Sequence, residues 1–526
     1  MSSHTLTSPF KSPVFRMMWI AMTISNIGTW MTEIGTSWLM ASMPTPDLYI
    51  ALIQTAITMP FLFLAYPAGT MADLIDRRKI LLILHILLFI TASGLALSAF
   101  YNIVTPLSLL LYTFALGVGN ALMRPAWASS VPDFAPLELL PSSITLNTLS
   151  TNVTRAIGPA IGGFIIFHSG PTGVFAFNAL SFTALIYALA VWKPKKEENP
   201  SALPVERFMG AFKAGIRYTK NVRLLRVVLL RSALFFFFGS VAWALLPIIV
   251  IREMEMGAKS FGVSMAVVGL GTILGAYLLP KFHRIISRNQ IITVSSIMLS
   301  LPLLLLAYRP NVYTLGLTLM ALGCAWIFSF SSLMLTAQTS VPNWVRARTI
   351  SIMMVTFGGS MGFGSLLWGT LSDQYSTSTS ITVASMGLLM TLLLSRRFAI
   401  ANDNLDLSTA AQWPMPIPVD SVPVNKGPVM VSIDYCIPEQ NVDEFLSLMK
   451  KLRVIRKRNG AYFWQIYHDA KDHQLFSEVY MSESWSETLR QRDRITSSEM
   501  SIRDQVMAMH VGKNKPAISI KIAGKA

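Results

Sequence analysis

The chain has 526 residues, of which 52% are hydrophobic and only 13% are charged, and its formal net charge is +16. Ordinary soluble proteins carry about 25% charged residues, so a soluble fold would have too little interior for this much apolar sequence, and the surplus must face lipid. The Lys and Arg residues cluster between long apolar runs, which is typical of membrane topology and argues against nucleic-acid binding. Two cysteines, Cys324 and Cys436, form neither a disulfide framework nor a metal-ligand cluster, and we expect no cofactor and no metal.

Twelve apolar runs are long enough to cross a bilayer, since a membrane-spanning helix needs about 20 mainly apolar residues. Six lie in the first half, at 14–42, 48–71, 79–100, 105–130, 143–168 and 172–192. Six lie in the second half, at 225–251, 260–280, 290–308, 311–338, 347–371 and 378–395. The first run lacks a small-residue cleavage site, and we interpret it as a retained helix. The sequence therefore predicts an all-α membrane protein with two six-helix halves.

The short loops between these runs predict the orientation in the membrane. Basic residues follow the second, eighth, tenth and twelfth runs, whereas the loops 43–47, 101–104 and 169–171 carry almost none. Cytoplasmic loops carry the excess of Lys and Arg, so both termini are predicted to be cytoplasmic, in the inner (plasma) membrane of a bacterium. The connection 193–224 lies on the same side, and we interpret its amphipathic stretch 208–218 as a surface helix that joins the halves.

Two landmarks recur between the halves. Ser130–Phe134 is followed 210 residues later by Ser340–Trp344, and Gly69 has a counterpart 206 residues later in Gly275. Nearly equal spacings indicate duplication of a six-helix unit. Because each unit has an even number of helices, we expect parallel repeats with a substrate path between them.

The last part of the chain has a different composition. The stretch 398–427 is rich in Pro, Asn, Asp and Ser, which predicts an extended linker. Beyond it, strand-like and helical patterns alternate in the order βαββαβ, at 429–437, 442–458, 462–467, 475–481, 497–510 and 517–522. That order is ferredoxin-like. The predicted segments are a six-helix bundle at 1–192, a cytoplasmic connection at 193–224 and a second six-helix bundle at 225–397. A linker at 398–427 and a cytoplasmic α+β domain at 428–526 follow.

Two groups of residues form recognisable motifs. The loop after the second span carries the first group, Gly69, Asp73, Asp76, Arg77 and Arg78. The fifth span carries the second group, Arg155, Gly158, Pro159, Gly162 and Gly163. They resemble the signature loop and the Gly-Pro antiporter motif of the major facilitator superfamily, with Asp76 where the wider superfamily usually has Gly. The stretches 338–348 and 483–492 resemble its enterobactin-exporter-like or transmembrane secretion effector branch, although Thr488 and Arg492 stand where that branch more often has His.

This resemblance covers essentially the whole chain and implies roles for both motifs. Asp73 and the neighbouring cations would lock the two halves on the cytoplasmic side, through charge contacts that break and re-form during alternating access. The alternative is a positive-inside anchor, for which Lys and Arg alone would suffice. For the Gly-Pro motif, a role in exporter directionality stands beside simple helix packing, because small residues let helices approach closely.

Charged residues inside the apolar runs indicate a site, because each is costly in hydrocarbon. Glu33 lies in the first span, Arg124 in the fourth and Arg155 in the fifth, helices that the resemblance places beside a central cavity. We expect Glu33 to take up the proton in proton-coupled export, while Arg124 or Arg155 binds anionic substrate groups or modulates Glu33. The alternative is a fixed ion pair or an interfacial position for Glu33. Asn152 and Gln338 add polar groups that either line the path or tie helices together.

The sequence as a whole predicts a membrane transporter and not an enzyme. No nucleotide-binding loop occurs, so we expect a secondary transporter. It would export a small siderophore-like or drug-like molecule in exchange for protons, with uptake as the alternative. The tail resembles small dimeric monooxygenase-like domains but shows no nucleophile–base constellation, and we interpret it as a homodimerisation or regulatory module. A membrane-tethered enzyme or sensor that acts through the tail is the alternative from another class.

Overall fold

The computed structural model describes residues 8–74, 76–134, 137–192, 208–308, 311–400, 426–512 and 514–524. The chain forms two compact units. The membrane unit comprises Met1–Glu198, Val227–Leu335 and Ile350–Asn402. The C-terminal unit comprises Asn199–Arg226, Thr336–Thr349 and Asp403–Ala526. Most of the predicted linker 398–427 lies outside the described residues.

Helices form both sequence halves before the linker. The first half contains α1 (Pro13–Ser42), α2 (Asp47–Leu74), α3 (Arg77–Phe100), α4 (Pro106–Phe134) and α5 (Leu140–Val191). Helix α6 (Phe208–Asn221) occupies the amphipathic stretch of the connection. The second half contains α7 (Arg223–Pro247) with a π-helical turn at Ile248–Glu253, then α8 (Ala258–Ile285), α9 (Arg288–Tyr308), α10 (Val312–Thr339), α11 (Asn343–Gln374) and α12 (Thr377–Arg397).

Helix α5 is 52 residues long, which exceeds one membrane crossing. Gly170, with φ 70° and ψ −178°, breaks it inside the predicted loop 169–171. Nothing lies within 4 Å of the position that a Cβ would occupy there, so the backbone angle rather than crowding favours glycine. Counting α5 once, nine helices of the described residues are long and apolar enough to span a membrane, and neither α1 nor the shorter Thr377–Leu393 is among them. The number of twelve spans therefore stays a prediction.

Many buried hydroxyl side chains in these helices bond back to the preceding turn. Thr36 Oγ1 donates to Thr32 O at 3.0 Å, and Ser130 Oγ donates to Ala126 O at 2.7 Å. Such bonds satisfy the hydroxyl within its own helix, so Ser and Thr are tolerated in apolar surroundings.

An apolar cluster lies in the first half, where the start of α1 meets α3, α4 and the end of α5. Phe15, Leu81, Trp127 and Trp192 are each at most 8% exposed in this cluster. Close packing of these side chains joins the four helices at that end of the half.

The C-terminal unit contains a four-stranded antiparallel sheet in the order β2-β3-β1-β4. The strands lie within one residue of the predicted positions, at β1 (Val429–Cys436), β2 (Phe463–His468), β3 (Leu475–Ser482) and β4 (Ala517–Ile522). Three helices accompany them, α13 (Val442–Asn459), α14 (Trp485–Asp493) and α15 (Ser497–Ala508). Helix α14 is not among the predicted elements, so the observed order is βαββααβ. Ser484 begins it, because its Oγ accepts the backbone N–H of Glu487 at 3.3 Å, as an N-cap residue does.

The core of this sheet is apolar. Val431 and Ile433 of β1 are at most 3% exposed and belong to one cluster with Phe445 and Leu452 of α13. Along β1, buried and half-buried residues alternate. This is the pattern of a strand with one face against helices.

A buried ion pair lies in the same core. Arg456 Nε lies 3.0 Å from Glu478 Oε1, and the two side chains are 6% and 0% exposed. Trp464 Nε1 and the Tyr435 hydroxyl donate to the same carboxylate at 2.9 Å and 3.3 Å. The Glu478 charge is therefore both paired and hydrogen-bonded, as a buried charge requires.

Candidate functional site

A cavity lies between the two halves of the membrane unit. Its walls come from α1, α2 and α5 of the first half and from α7 and α8 of the second. The cavity and its opening together enclose about 500 Å³ that protein atoms do not fill. The centre of a water molecule can occupy about 30 Å³ of that space. One water needs roughly 10–15 Å³ by that measure. In this conformation the cavity has room for a few waters and must widen to admit a larger molecule.

Charged and aromatic side chains share this cavity. Glu33 and Trp30 of α1, Arg155 of α5 and Trp243 of α7 all line it. The Arg155 guanidinium carbon lies 4.8 Å from the centre of the Trp30 ring. Arg155 Nε and Trp243 Nε1 are both buried, and neither has a hydrogen-bond partner among the described residues. The cavity thus presents one acid, one cation and two indole rings, with two donors available to a bound molecule.

Glu33 also borders a second cavity within the first half. Polar side chains of α1, α4 and α5 line that cavity, among them Thr113, Asn120 and Asn178. The described residues contain no ion pair of 4.0 Å or shorter between Glu33 and Arg124 or Arg155. This geometry argues against a fixed ion pair for Glu33.

The other residues predicted for the cavity lie elsewhere. Arg124 is exposed on α4, with its guanidinium carbon 5.6 Å from the Phe61 ring centre. Asn152 is half-buried on α5 and does not line the cavity. Gln338 lies at the end of α10, in the stretch that belongs to the C-terminal unit. The structure thus brings Glu33 and Arg155 to one cavity and leaves Arg124 outside its wall.

Two residues of the loop motif fix the turn between α2 and α3. Asp76 Oδ1 accepts the backbone N–H groups of Arg78 at 3.0 Å and Lys79 at 3.3 Å, which caps α3. Arg78 Nε donates to Leu189 O at 2.8 Å, and its Nη2 donates to Ala190 O at 2.7 Å. A cation on the last carbonyls of a helix is favourable. These residues therefore hold the turn against the end of α5.

The rest of the loop motif contacts α4 and α11. Arg77 Nη1 lies 3.2 Å from Asp133 Oδ2, an ion pair that ties the turn to α4. At Gly69 a Cβ would meet the Ser351 side chain of α11, so glycine allows α2 to approach the second half closely. The side chain of Asp73 lies outside the described residues, and its gating role stays a prediction.

The Gly-Pro motif forms a close-packing surface on α5. A Cβ at Gly158 or Gly162 would lie 2.8 Å or 3.2 Å from atoms of α1. A Cβ at Gly163 would lie 2.5 Å from the Gly262 Cα of α8. Pro159 lines the cavity between the halves. The motif thus lets α5 approach α1 in its own half and α8 in the other half, which supports the packing interpretation.

A further contact joins the halves at the end of the bundle opposite to Arg77 and Arg78. Arg252, in the π-helical turn after α7, has its Nη1 2.8 Å from Asp47 Oδ1 at the start of α2. Its Nη2 also donates to Met43 O at 2.9 Å. Ser372 Oγ of α11 donates to Asp47 Oδ2 at 3.1 Å. We call Arg252, Asp47 and Ser372 the outer latch, because the predicted topology puts this end of the bundle outside the cytoplasm.

Sequence reasoning misses the outer latch because it weighs these loops only by their positive charge. The available signal was an Asp that opens the second span and an Arg that ends the seventh. Two opposite charges at helix ends do not indicate a pair while their separation in space is unknown. Here 205 residues separate Arg252 from Asp47, and only the fold brings them together.

Comparison with known proteins adds the family. A family model described as transmembrane secretion effector matches residues 4–526. The staphyloferrin A transporter of Staphylococcus aureus is 24% identical over 388 residues, which cover 72% of this chain and 94% of that protein. The multidrug efflux pump Tap of Mycolicibacterium fortuitum is 22% identical over 401 residues, which cover 73% of this chain and 95% of that protein.

Solved structures share the fold of the membrane-spanning part. The nucleoside transporter NupG matches with a TM-score of 0.56 at 16% identity, over 73% of this chain and 99% of that chain. A bacterial homologue of the human lysosomal transporter Spinster, inward-facing and unoccupied, matches with a TM-score of 0.57 at 15% identity, over 74% of this chain and 96% of that chain. Likeness at these identities concerns the fold alone.

Proposed function

The chain belongs to the transmembrane secretion effector family of the major facilitator superfamily, and on that premise we propose that it is a proton-coupled secondary exporter of a small siderophore-like or drug-like molecule. It is a multi-pass membrane protein of the transporter class, and the relatives compared with it are transporters rather than enzymes. The observation that carries the proposal is the cavity between the halves, where Glu33 and Arg155 meet two indole rings.

The substrate class follows from the side chains of the cavity. Arg155 offers charge-assisted hydrogen bonds to acceptor oxygens, and Trp243 offers a neutral N–H from the other half. The faces of Trp30 and Trp243 suit a flat apolar group. An amphipathic molecule with oxygen acceptors, hydroxyl donors and a planar part matches this set. Relatives named for staphyloferrin A and for multidrug efflux support that class.

Glu33 is the proposed proton site. It is the single acid among the described residues that line the cavity. An ionised Glu33 pairs with a substrate cation or accepts a charge-assisted hydrogen bond from a substrate hydroxyl, and protonation abolishes the ion pair and weakens the hydrogen bond. Substrate and proton then compete for one carboxylate while Arg155 holds the acceptor oxygens. Such competition is what an exchange of substrate for proton requires.

The outer latch and the loop motif are the proposed gates. While Arg252 and Asp47 stay paired, the halves are joined at the outer end, and the cavity can widen only toward the basic loops. Asp73 and the loop motif would close the opposite end in turn. Alternation between two such closed ends gives the substrate access to one side at a time.

The proposed topology assigns each gate to one side of the membrane. Twelve spans form two six-helix bundles at 1–192 and 225–397, with both termini in the cytoplasm, the side of the basic loops. The antiparallel order β2-β3-β1-β4 supports a ferredoxin-like fold for 428–526. We propose this domain as a regulatory module, which can also pair with a second copy.

Transport into inverted membrane vesicles tests the proposal. Catecholate siderophores and lipophilic cations are offered with and without an uncoupler, and the expected result is accumulation that the uncoupler abolishes. Glu33→Gln should lose this accumulation while its amount in the membrane is unchanged. Glu253→Gln, at an exposed acid, is the matched control and should transport like the parent.

Two outcomes would contradict this assignment. If Glu33→Gln accumulates substrate as the parent does, Glu33 is not the proton site. If substrate accumulates only in right-side-out vesicles, the direction is uptake rather than export.

A further inference from the structure

A separate cavity lies in the C-terminal unit, between the sheet and the helices α13 and α14. Ile433 of β1, Ile520 of β4 and Leu489 of α14 form apolar walls. The cavity and its opening together enclose about 730 Å³ that protein atoms do not fill. The centre of a water molecule can occupy about 70 Å³ of that space. That is several times the roughly 10–15 Å³ that one water needs. A cavity of this kind, apolar with a few polar groups, has the features of a small-molecule site.

Most polar side chains around this cavity already have partners. Arg456, the one charged residue among the described residues that line it, pairs with Glu478 at 3.0 Å. Gln491 Nε2 donates to Ser482 Oγ at 2.8 Å. A charged ligand would lose its solvation here without gaining a counter-charge, which is unfavourable. The chemistry of the walls therefore selects an uncharged ligand.

Trp485 is the exception. Its side chain lines the cavity and is 1% exposed, and its indole N–H has no hydrogen-bond partner among the described residues. A buried donor without a partner is costly, and an acceptor placed against it recovers that cost. The indole ring also offers a flat face to a planar group.

We propose that this cavity binds a small, uncharged and largely apolar molecule, whose one hydrogen-bond acceptor takes the Trp485 N–H. The apolar part of the ligand packs between Ile433, Ile520 and Leu489. Binding does not depend on the transport function proposed for the membrane unit.

The same helix connects the site to α6. Glu487 of α14 lies two residues after Trp485 and pairs with Arg217 of α6 at 2.8 Å and with Arg494 at 2.7 Å. Glu487, Arg217 and Arg494 have side chains that are 13%, 19% and 5% exposed, so these pairs are shielded from solvent. A ligand that packs against α14 thus acts next to the contact that holds α6, the helix between the two halves. A regulatory effect through this contact rests on the proposed transport function.

Fluorine NMR on the full chain in lipid nanodiscs tests the site. The probe is the para-fluoro derivative of N,N-dimethylbenzamide, which is neutral and has a flat aromatic ring and a carbonyl acceptor but no donor. The matched probe is para-fluorocumene, which has a similar shape and lacks the acceptor. Empty nanodiscs give the background from lipid. We expect saturable line broadening above that background, with the amide probe bound about five- to tenfold more tightly than the cumene probe, the value of one good hydrogen bond.

Two substitutions separate the site from nonspecific partition. Trp485→Phe keeps an aromatic ring and removes the N–H, so it should erase the difference between the two probes. Ile520→Trp narrows the cavity from the edge strand and should abolish binding of both. Lys521→Trp is the control, because the next residue of the same strand points to the opposite face and is exposed.

The outcomes are distinct. Absence of saturable binding, or an unchanged probe difference in Trp485→Phe, overturns the proposed site. Equal loss of binding in Ile520→Trp and Lys521→Trp overturns the assignment to this cavity.

Hydrogen exchange of 208–221 with and without the amide probe tests the link to α6. The expected result is a change in the parent that Glu487→Gln removes without weakening binding. Failure of vesicle transport together with saturable probe binding would refute the proposed transport function and leave the site intact.

Discussion

Replacing Arg252 by alanine should open the outer end of the cavity. The substitution removes the ion pair with Asp47 and the hydrogen bonds to Met43 O and Ala41 O, at 2.8 Å, 2.9 Å and 3.2 Å. The Arg252 and Asp47 side chains are 26% and 22% exposed, so solvent weakens the pair only in part. Charge-assisted hydrogen bonds contribute about 1.5–3 kcal/mol each when buried.

The expected shift follows from these contacts. Because the Arg252 contacts are partly exposed, we expect them to stabilise the closed outer end by about 2–3 kcal/mol in total. Its loss corresponds to a shift of about 30- to 150-fold toward the open conformation. Asp47→Asn retains a hydrogen-bond acceptor and loses the charge, so a shift of about fivefold is expected from roughly 1 kcal/mol.

Alkylation of a reporter cysteine measures this shift. Ser37 lines the cavity and becomes the reporter as Ser37→Cys, in a background with Cys324→Ala and Cys436→Ser. A membrane-impermeant maleimide is added to right-side-out vesicles. The alkylation rate should rise by the factors given for Arg252→Ala and Asp47→Asn. Lys259→Ala, at an exposed cation on the same end of the bundle, is the control and should leave the rate unchanged.

One result would refute the reasoning. If Arg252→Ala inserts normally and its reporter reacts within about twofold of the parent rate, the latch contributes less than about 0.4 kcal/mol to closure. Other contacts between the halves would then hold the outer end.

Three further predictions concern packing and the C-terminal unit. Arg456→Met should destabilise the sheet by about 3–5 kcal/mol, because it leaves the Glu478 charge buried without its partner. Hydrogen exchange of β1 in the full chain measures this loss of stability. Burial, with a smaller effect from Glu478, raises the pKa of Tyr435 well above its usual value. The unfolded chain then ionises this tyrosine first, so stability is complete below about pH 10 and falls as the pH rises above it, and Tyr435→Phe should reduce that alkaline decline in a denaturation series. Gly163→Ala should lower the thermal stability of the protein in detergent, because the added Cβ would lie 2.5 Å from the backbone Cα of Gly262 in α8. Gly316→Ala has open space and should not lower it.

The local patterns of the sequence were sufficient for the elements of the C-terminal sheet. Alternation and helical periodicity placed all four strands within one residue, because these periods belong to each segment by itself. Helix α14 was missed since it is 9 residues long and strongly polar, and its start depends on the side-chain cap from Ser484.

The sequence predicted those residues of the candidate site that are unusual in their own surroundings. Glu33 and Arg155 stand out in apolar helices because a charge in hydrocarbon is costly wherever the helix lies, and both line the cavity. Asn152 and Gln338 are only mildly polar, and their positions in sequence did not determine which surface they face. The structure places neither of them in the wall of that cavity.

The sequence by itself determined that the chain is a membrane protein, where its apolar runs lie, and which charges are out of place in them. Hydropathy and charge act residue by residue, so they can be evaluated before the fold is known. The tertiary structure alone decided that Arg252 meets Asp47 across 205 residues, that Gly163 packs against α8, and that Trp485 borders a cavity. Such contacts depend on the relative positions of distant helices and strands, and no local pattern encodes a distance between them.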